Sequence, residues 1–280
     1  MTSRAMSLSN RALFAIERNL RTDLSLEGLA SVCGVSRYHL AHAFGETTGM
    51  PVMGYVRSRR LSEAARRLAD GADNILDLAL DYGYASHEAF SRAFRAQFGK
   101  TPEAVRREAS LEALPVLDPV RIEDANRKSV KPHRVEQQGE LIFIGLKALV
   151  PFGGENAIPA QWEHFMQRYG EIENKADPVP WGVNADLTDD GVFTYCTAVK
   201  VTRASPVPKG LDVVRAAPHR YAVFRHEDHV YTLPQTYAAI WNDWLPDAGG
   251  LADSPSLERH LDTFDTRTGY GGVEIWIPLA

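Results

Sequence analysis

Three groups of side chains in this chain could do chemistry. Between residues 75 and 107, His87, Glu88, Ser91, Arg92 and Arg95 fall on one side of a helical repeat whose other side carries Phe90, Ala93, Phe94 and Phe98. Donors and acceptors of that kind, presented by the outer face of a short helix, can address base edges in a DNA groove. The second group is acidic and aromatic. Along the last apolar run, Glu274 and Trp276 alternate with Val273, Ile275 and Ile277, so carboxylate and indole share one face of a strand. A carboxylate among rings favours a lipophilic cation, through Coulomb attraction in a poorly solvated site and through cation-π contact. The third group, His226-Glu227-Asp228-His229, invites a metal, but it follows a strand and lacks a third ligand at defined spacing, so it reads as a solvated loop. No Gly-rich phosphate loop and no nucleophile elbow is present, which weighs against nucleotide use and serine-hydrolase chemistry and leaves no cofactor to assign.

The elements that must hold the first group are a helix, a tight turn and a second helix. Ile75, Leu78, Ala79 and Tyr82 form one stripe, Gly83 breaks it, Ser86 caps the next helix, and Gly99 with Pro102 ends that one. The same grammar occurs fifty positions earlier: Leu26, Leu29, Ala30 and Cys33 make a stripe, Gly34 turns, Ser36 caps, and Leu40, Ala43 and Phe44 face inward. Ser36 and Ser86, Phe44 and Phe94, Gly49 and Gly99 share that spacing, so the unit is an internal repeat. Between the copies, Pro51 opens a helix whose Leu61, Ala64, Ala65 and Leu68 continue to Gly71. Nearly twenty residues of helix span roughly 30 Å, close to the ~34 Å between successive major-groove segments on one side of a duplex.

The runs GVSRYHLAHAF, GYVRSRRLSEAARRL and ILDLALDYGYASHEAFSRAFRAQFGKTPEAVRR resemble the DNA-binding domain of the AraC/XylS family of transcriptional regulators, over about residues 8–108. The resemblance implies two helix-turn-helix units with both recognition helices in the major groove of double-stranded DNA. By position, Tyr38, Ala41 and His42 match the family's base-facing sites in the first recognition helix. His87, Glu88, Ser91 and Arg92 match those in the second, and Arg37 and Arg95 flank the two sets. The chain departs from the pattern at Ala41 and His42, where close relatives carry longer donors.

Charge divides the same way. Residues 1–110 carry a net charge of +3 and residues 111–280 a net −8, within an overall −5. The basic end is the DNA end. Fourteen of its fifteen cations are arginines, and Arg57, Arg59 and Arg60 on the linking helix read either as a solvated face or as phosphate contacts. Residues 109–132, with Pro115, Pro119, Pro132 and a charge cluster over 121–131, read as a linker long enough for the halves to move independently. Cys33 reads as core. Two distant cysteines, no signal peptide and no apolar run near eighteen residues point to a soluble, cytoplasmic protein with no membrane partner.

Beyond residue 133 the chain turns to β-branched and aromatic runs, at 141–149, 181–187, 192–202, 213–226, 257–265 and 272–278. Two helices opened by Pro159 and Pro234 interrupt them. Trp162 and Tyr237, Phe165 and Ile240, Met166 and Trp241 are each seventy-five apart, so this half is duplicated too. Each copy reads strand, helix, strand, strand. The fold expected is multidomain: an all-α double helix-turn-helix domain over 1–108, then an α+β domain over 133–280 with both helices on one side of a sheet and a pseudo-twofold groove between copies.

That pattern and the ending GYGGVEIWIPL resemble the GyrI-like effector-binding domain found in drug-sensing regulators. The resemblance implies an aromatic cleft for an amphipathic or cationic small molecule, with Glu274 as the acid at the family's position and Trp162, Tyr195, Tyr221, Phe224, Trp241 and Trp276 as walls. RNA polymerase is then the further partner of a regulator. Three readings stay open for the rear half: a ligand sensor, a small-molecule hydrolase with Glu274 as general base and Tyr195 or Tyr221 as proton donor, or a protein-binding module.

Overall fold

The computed structural model describes residues 6–71, 74–122 and 130–280; part of the charge cluster over 121–131 lies outside them. Among the described residues the front domain has seven helices: α1 (Leu8–Arg18), α2 (Leu26–Cys33), α3 (Arg37–Thr48), α4 (Val52–Ala69), α5 (Ile75–Asp81), α6 (His87–Phe98) and α7 (Pro102–Glu108). The hydroxyls of Ser36 and Ser86 accept the backbone N–H of His39 and Ala89, both at 3.2 Å, starting α3 and α6 identically. Each such cap contributes about 1 kcal/mol. Gly49 and Gly99 end the two helices at φ +68°, where a side chain would be strained. Phe90, Phe94 and Phe98 stack down α6 at centroid distances of 5.5 and 4.7 Å and fill a core with Leu61, Leu68 and Leu78.

The linking helix α4 uses its arginines for structure. Arg59 is 2% exposed, donates to both oxygens of Glu17 at 2.9 Å, and also binds Glu63 and the Leu117 carbonyl. Arg60 donates to the carbonyls of Leu20 and Thr22. Of the trio only Arg57 stands exposed, so two of the three expected surface cations tie the domain together instead. The start of the connector is not loose either. Val120 N–H donates to the Tyr55 hydroxyl, Leu117 N–H to Ser62, and Leu117, Val120 and Ile122 pack on the front core.

The rear domain is one eight-stranded antiparallel sheet. Its strands are β1 (Arg134–Gln138), β2 (Leu141–Pro151), β3 (Lys175–Ala185), β4 (Val192–Val201), β5 (Asp212–Ala216), β6 (His219–His226), β7 (Ser256–His260) and β8 (Val273–Leu279). Helices α8 (Ile158–Arg168) and α9 (Leu233–Ala239) lie over one face, α9 running on into a π turn at Ile240–Trp244. The order β1-β6-β8-β7-β3-β4-β2-β5 puts the two strand-helix-strand-strand copies side by side, β7 against β3, about the expected pseudo-twofold. One expected strand, 213–226, is two: Pro218 cannot donate to a ladder, and on either side of it β5 pairs with β2 while β6 pairs with β1 and β8, at opposite ends of the sheet. β1 and β5 thus each extend the other copy.

The two domains share one apolar core that runs from Leu8 and Phe44 through Trp241 and Ile240 to Ile275 and Leu279. With α9 and its π turn packed on α1 and α3, the two halves meet in one core instead of being held apart by the linker.

Candidate effector site and nucleic-acid interface

Side-chain parity on the sheet decides which residues meet. In the registers Arg225↔Glu274 and Arg259↔Glu274, those three side chains share a face, and so do Trp276 and Tyr221. That face is turned away from α8 and α9. Glu274, 3% exposed, accepts Arg134 at 2.6 and 3.0 Å and the Trp276 indole N–H at 3.2 Å. Burial would raise its carboxyl, but the bonds and charge of Arg134 outweigh burial and hold it below the usual carboxylate range. Glu274 is therefore a structural ion pair outside the groove, and Trp276 and Tyr221 pack with Trp181 in the core of the far face. Phe224 points to the helical face but is covered by Trp244 at 4.8 Å.

The opposite parity builds a cavity of about 790 Å³ between α8, α9 and the sheet. Of the residues expected to form its walls, Trp162, Tyr195 and Trp241 line it. Its acid is Glu258 on β7, a residue that pattern reading missed. Glu258 Oε2 accepts the Tyr195 hydroxyl at 2.8 Å, and Oε1 accepts the Tyr237 hydroxyl at 2.9 Å and the Asn184 amide at 3.1 Å. Gly182, paired with Glu258 across β3 and β7, makes this meeting possible: a Cβ there would lie 2.5 Å from the Tyr195 oxygen and 2.7 Å from Glu258 Oε2. Tyr237 could have been found, because it is the repeat mate of Trp162 and a twofold groove needs both. Burial pushes the Glu258 carboxyl up, against the three bonds that lower it, and burial beside Glu258 raises both phenols.

The rest of the lining is lopsided in charge. Glu46, Glu155 and Glu163 join Glu258, whereas Arg267 is the cation among the described lining residues, and it is exposed and paired with Asp265 at 3.3 Å. Glu46 is pushed up to about 8 by burial and by repulsion from Glu155 and Glu258. Burial lowers the lining histidines His42 and His260 to about 3 and about 4, so both are neutral near pH 7. His226, expected in a solvated loop, is buried at the end of β6 and bonded to Thr236 at 2.8 Å and to the His229 carbonyl at 3.1 Å.

The two recognition helices are in different situations. On α6, Glu88, Arg92 and Arg95 are exposed, Ser91 is half-buried, and His87 bonds Glu103 at 2.9 Å. On α3, Arg37 is exposed and lies 3.4 Å from Glu27 and 3.9 Å from Asp189. Ala41 and His42 are buried and Tyr38 partly so, with Tyr38 and His42 against Trp241 of the rear domain. The His42 ring stacks on Trp241 at 4.6 Å, and His39 Nε2 bonds the Trp241 carbonyl at 2.6 Å.

Two helix-turn-helix units joined in one chain to a cupped, duplicated receptor define a transcription regulator that combines DNA recognition with small-molecule binding. Residues 29–108 match the helix-turn-helix domain family and residues 131–280 the GyrI-like small molecule binding domain. The chain belongs to the AraC-type transcriptional regulators that carry a C-terminal GyrI-like domain. It is 39% identical to the right origin-binding protein of Escherichia coli (strain K12), covering 95% of this chain and 96% of that protein. It is 26% identical to the transcriptional regulator Rob of Salmonella typhimurium, covering 92% and 91%. The solved structure of SAV2435 bound to tetraphenylphosphonium is similar with a TM-score of 0.43, at 21% identity over 52% of this chain and 93% of that one. Among the described residues no helix is long and apolar enough to cross a membrane.

Proposed function

We propose that the cavity under α8 and α9 receives a hydrophobic cation, with Glu258 as its counter-charge and Trp162, Tyr195, Tyr237 and Trp241 as its walls. One observation carries this: a buried carboxylate oriented by three donors sits in an apolar cavity whose other charged lining residues are mostly acidic. In such a site a cation gains Coulomb energy that water would otherwise screen, and ring faces add cation-π attraction. The exposed face of α6 supports a matching role for Glu88, Arg92 and Arg95 in base readout, with His87 held beside them by Glu103 and the Ser91 hydroxyl buried behind them. Double-stranded DNA and the small molecule are then the direct partners, and RNA polymerase is the partner through which a regulator of transcription acts.

A hydrolytic reading has one specific support, the two phenol donors on Glu258, since a carboxylate and a phenol are a plausible base and acid. It does not fit Glu274 with Tyr195, which lie on opposite faces of the sheet. A thermal-shift screen of hydrophobic cations on the full chain tests the receptor reading, with recovery of the compound intact after incubation separating receptor from hydrolase. If no cation raised the melting temperature of the wild type by more than it raised that of Glu258→Gln, the receptor reading would be refuted.

A further inference from the structure

We infer that the effector site is completed by the first recognition helix, so that the small molecule and the first groove segment of DNA compete for α3. The inference rests on the receptor reading of the cavity and adds to it a part of the DNA-binding domain. His42 and Glu46, one turn apart on α3, line the same cavity as Glu258, Tyr237 and Trp241. His42 is 5% exposed, and both of its ring nitrogens lack a hydrogen-bond partner among the described residues. Glu46 adds a second carboxyl from the DNA-binding side, close enough to Glu258 and Glu155 to feel both. A cation in the cavity is therefore drawn to acidic groups of both domains.

The residues of α3 that match the base-facing positions are the ones used in this contact. Tyr38 and His42 meet Trp241 at 6.3 and 4.6 Å, and Ala41 is buried beside them. The departures from longer donors now have a reason, because a long polar side chain at 42 would leave its charge or amide against Trp241, and one at 41 would have to be buried. Gly45 shows the same fitting. The Phe152 ring of the rear domain sits where its Cβ would be, at 2.4 Å, and Phe152 also meets the His42 ring edge-on at 5.9 Å. Around this contact Asn242 accepts the Ser9 N–H at 2.8 Å and donates to Thr47 at 2.9 Å. A helix held in this way cannot enter a major groove, whereas α6 is free to do so. A ligand that binds only the held arrangement stabilises it, and by linkage DNA that needs α3 weakens the ligand.

Gly45→Ala is the decisive variant, since alanine favours the helix and disfavours only the contact with Phe152; Phe152→Ala removes the ring from the other side. The full-length proteins are footprinted with hydroxyl radicals on a duplex selected from a random-sequence pool, and titrated calorimetrically with methyltriphenylphosphonium. The wild type is expected to protect one groove segment, and Gly45→Ala two, about one helical turn apart, with roughly tenfold tighter DNA binding and tenfold weaker cation binding. Glu46→Gln is expected to weaken the cation while keeping the single-segment footprint. Two protected segments in the cation-free wild type, or wild-type footprint and cation affinity in both Gly45→Ala and Phe152→Ala, would overturn the inference. In the second case a weakened Glu258→Gln would leave the receptor reading standing. A wild type that binds no methyltriphenylphosphonium, yet shows the longer footprint on Gly45→Ala, would instead sink the receptor reading and uphold the held helix.

Discussion

Replacing Glu258 by glutamine removes one charge and almost no volume from the cavity. A unit positive charge about 5 Å from the carboxylate gains roughly 3 kcal/mol at an effective dielectric near 20. Part of that gain is offset, because burial raises the Glu258 carboxyl and so disfavours the charged form that serves as counter-charge. The net loss expected on Glu258→Gln is about 1–3 kcal/mol, which is roughly 5- to 160-fold in affinity. A neutral molecule of similar shape has no such term. Methyltriphenylphosphonium and triphenylphosphine oxide make the comparison, measured by calorimetry on both proteins. Tyr195 and Tyr237 donate to different oxygens of Glu258, so glutamine can keep only one of them, and the variant should also lose about 1–3 kcal/mol of stability. The titrations must therefore be run well below its melting point. Equal weakening of cation and oxide would show that the variant merely deforms the site, and unchanged cation affinity would refute the counter-charge itself.

The other expectations concern charge elsewhere in the chain. Cation affinity should rise with pH up to about 8, because the Glu46 carboxyl, titrating near 8, is neutral below that value in the empty site and must ionise as the cation enters. The slope should approach tenfold per pH unit between pH 6 and 8 and flatten above, and the neutral oxide run in parallel should show none; matching slopes would exclude the mechanism. Arg92→Ala should cost roughly 1–3 kcal/mol on selected DNA and much less on random DNA, and equal losses in a mobility-shift titration would argue for phosphate contact only. Arg59→Met leaves Glu17 and the Tyr55 hydroxyl facing an apolar chain and should destabilise the front domain by roughly 3–5 kcal/mol in urea unfolding, against near-neutrality for Arg57→Met. Glu274→Gln should lower stability through Arg134 while leaving the affinity for either phosphorus compound within a factor of about two, and a cation-selective loss would restore Glu274 to the site.

The helical half was legible because its signals are local. Ser36 and Ser86, Gly49 and Gly99, and the Phe90-Phe94-Phe98 stripe act within one turn of themselves, so spacing alone locates both units. The sheet was legible as a duplication for the same reason: the seventy-five-residue offset survives in the helices even where the strands have diverged. What failed was long-range. Nothing in 213–226 other than Pro218 signals that β5 and β6 part to opposite edges, because strand exchange between copies leaves each strand's own alternation unchanged. Arg59 looked like a surface cation because Glu17, its main partner, is 42 positions away.

The same limit explains the site. Glu274 stands in an apolar strand and Glu258 in the mixed strand Ser256–His260, and in neither case can neighbouring residues tell which face of the sheet will be covered by α8 and α9. Pairing decides it. Register places Glu274 between Arg225 and Arg259, and places Glu258 opposite Gly182 with Tyr195 alongside. A glycine among Trp181, Val183 and Asn184 was therefore the readable trace, since a strand interior gives up a side chain only where something else needs the space. Gly45 on α3 is the second instance of that trace. A helix interior is a costly place for glycine, by about 1 kcal/mol against alanine, and here the space is taken by Phe152 from the other domain. Both glycines mark points where a side chain from another element takes the space a Cβ would fill, Tyr195 and Glu258 at Gly182 and Phe152 at Gly45, one in the receptor and one on the recognition helix.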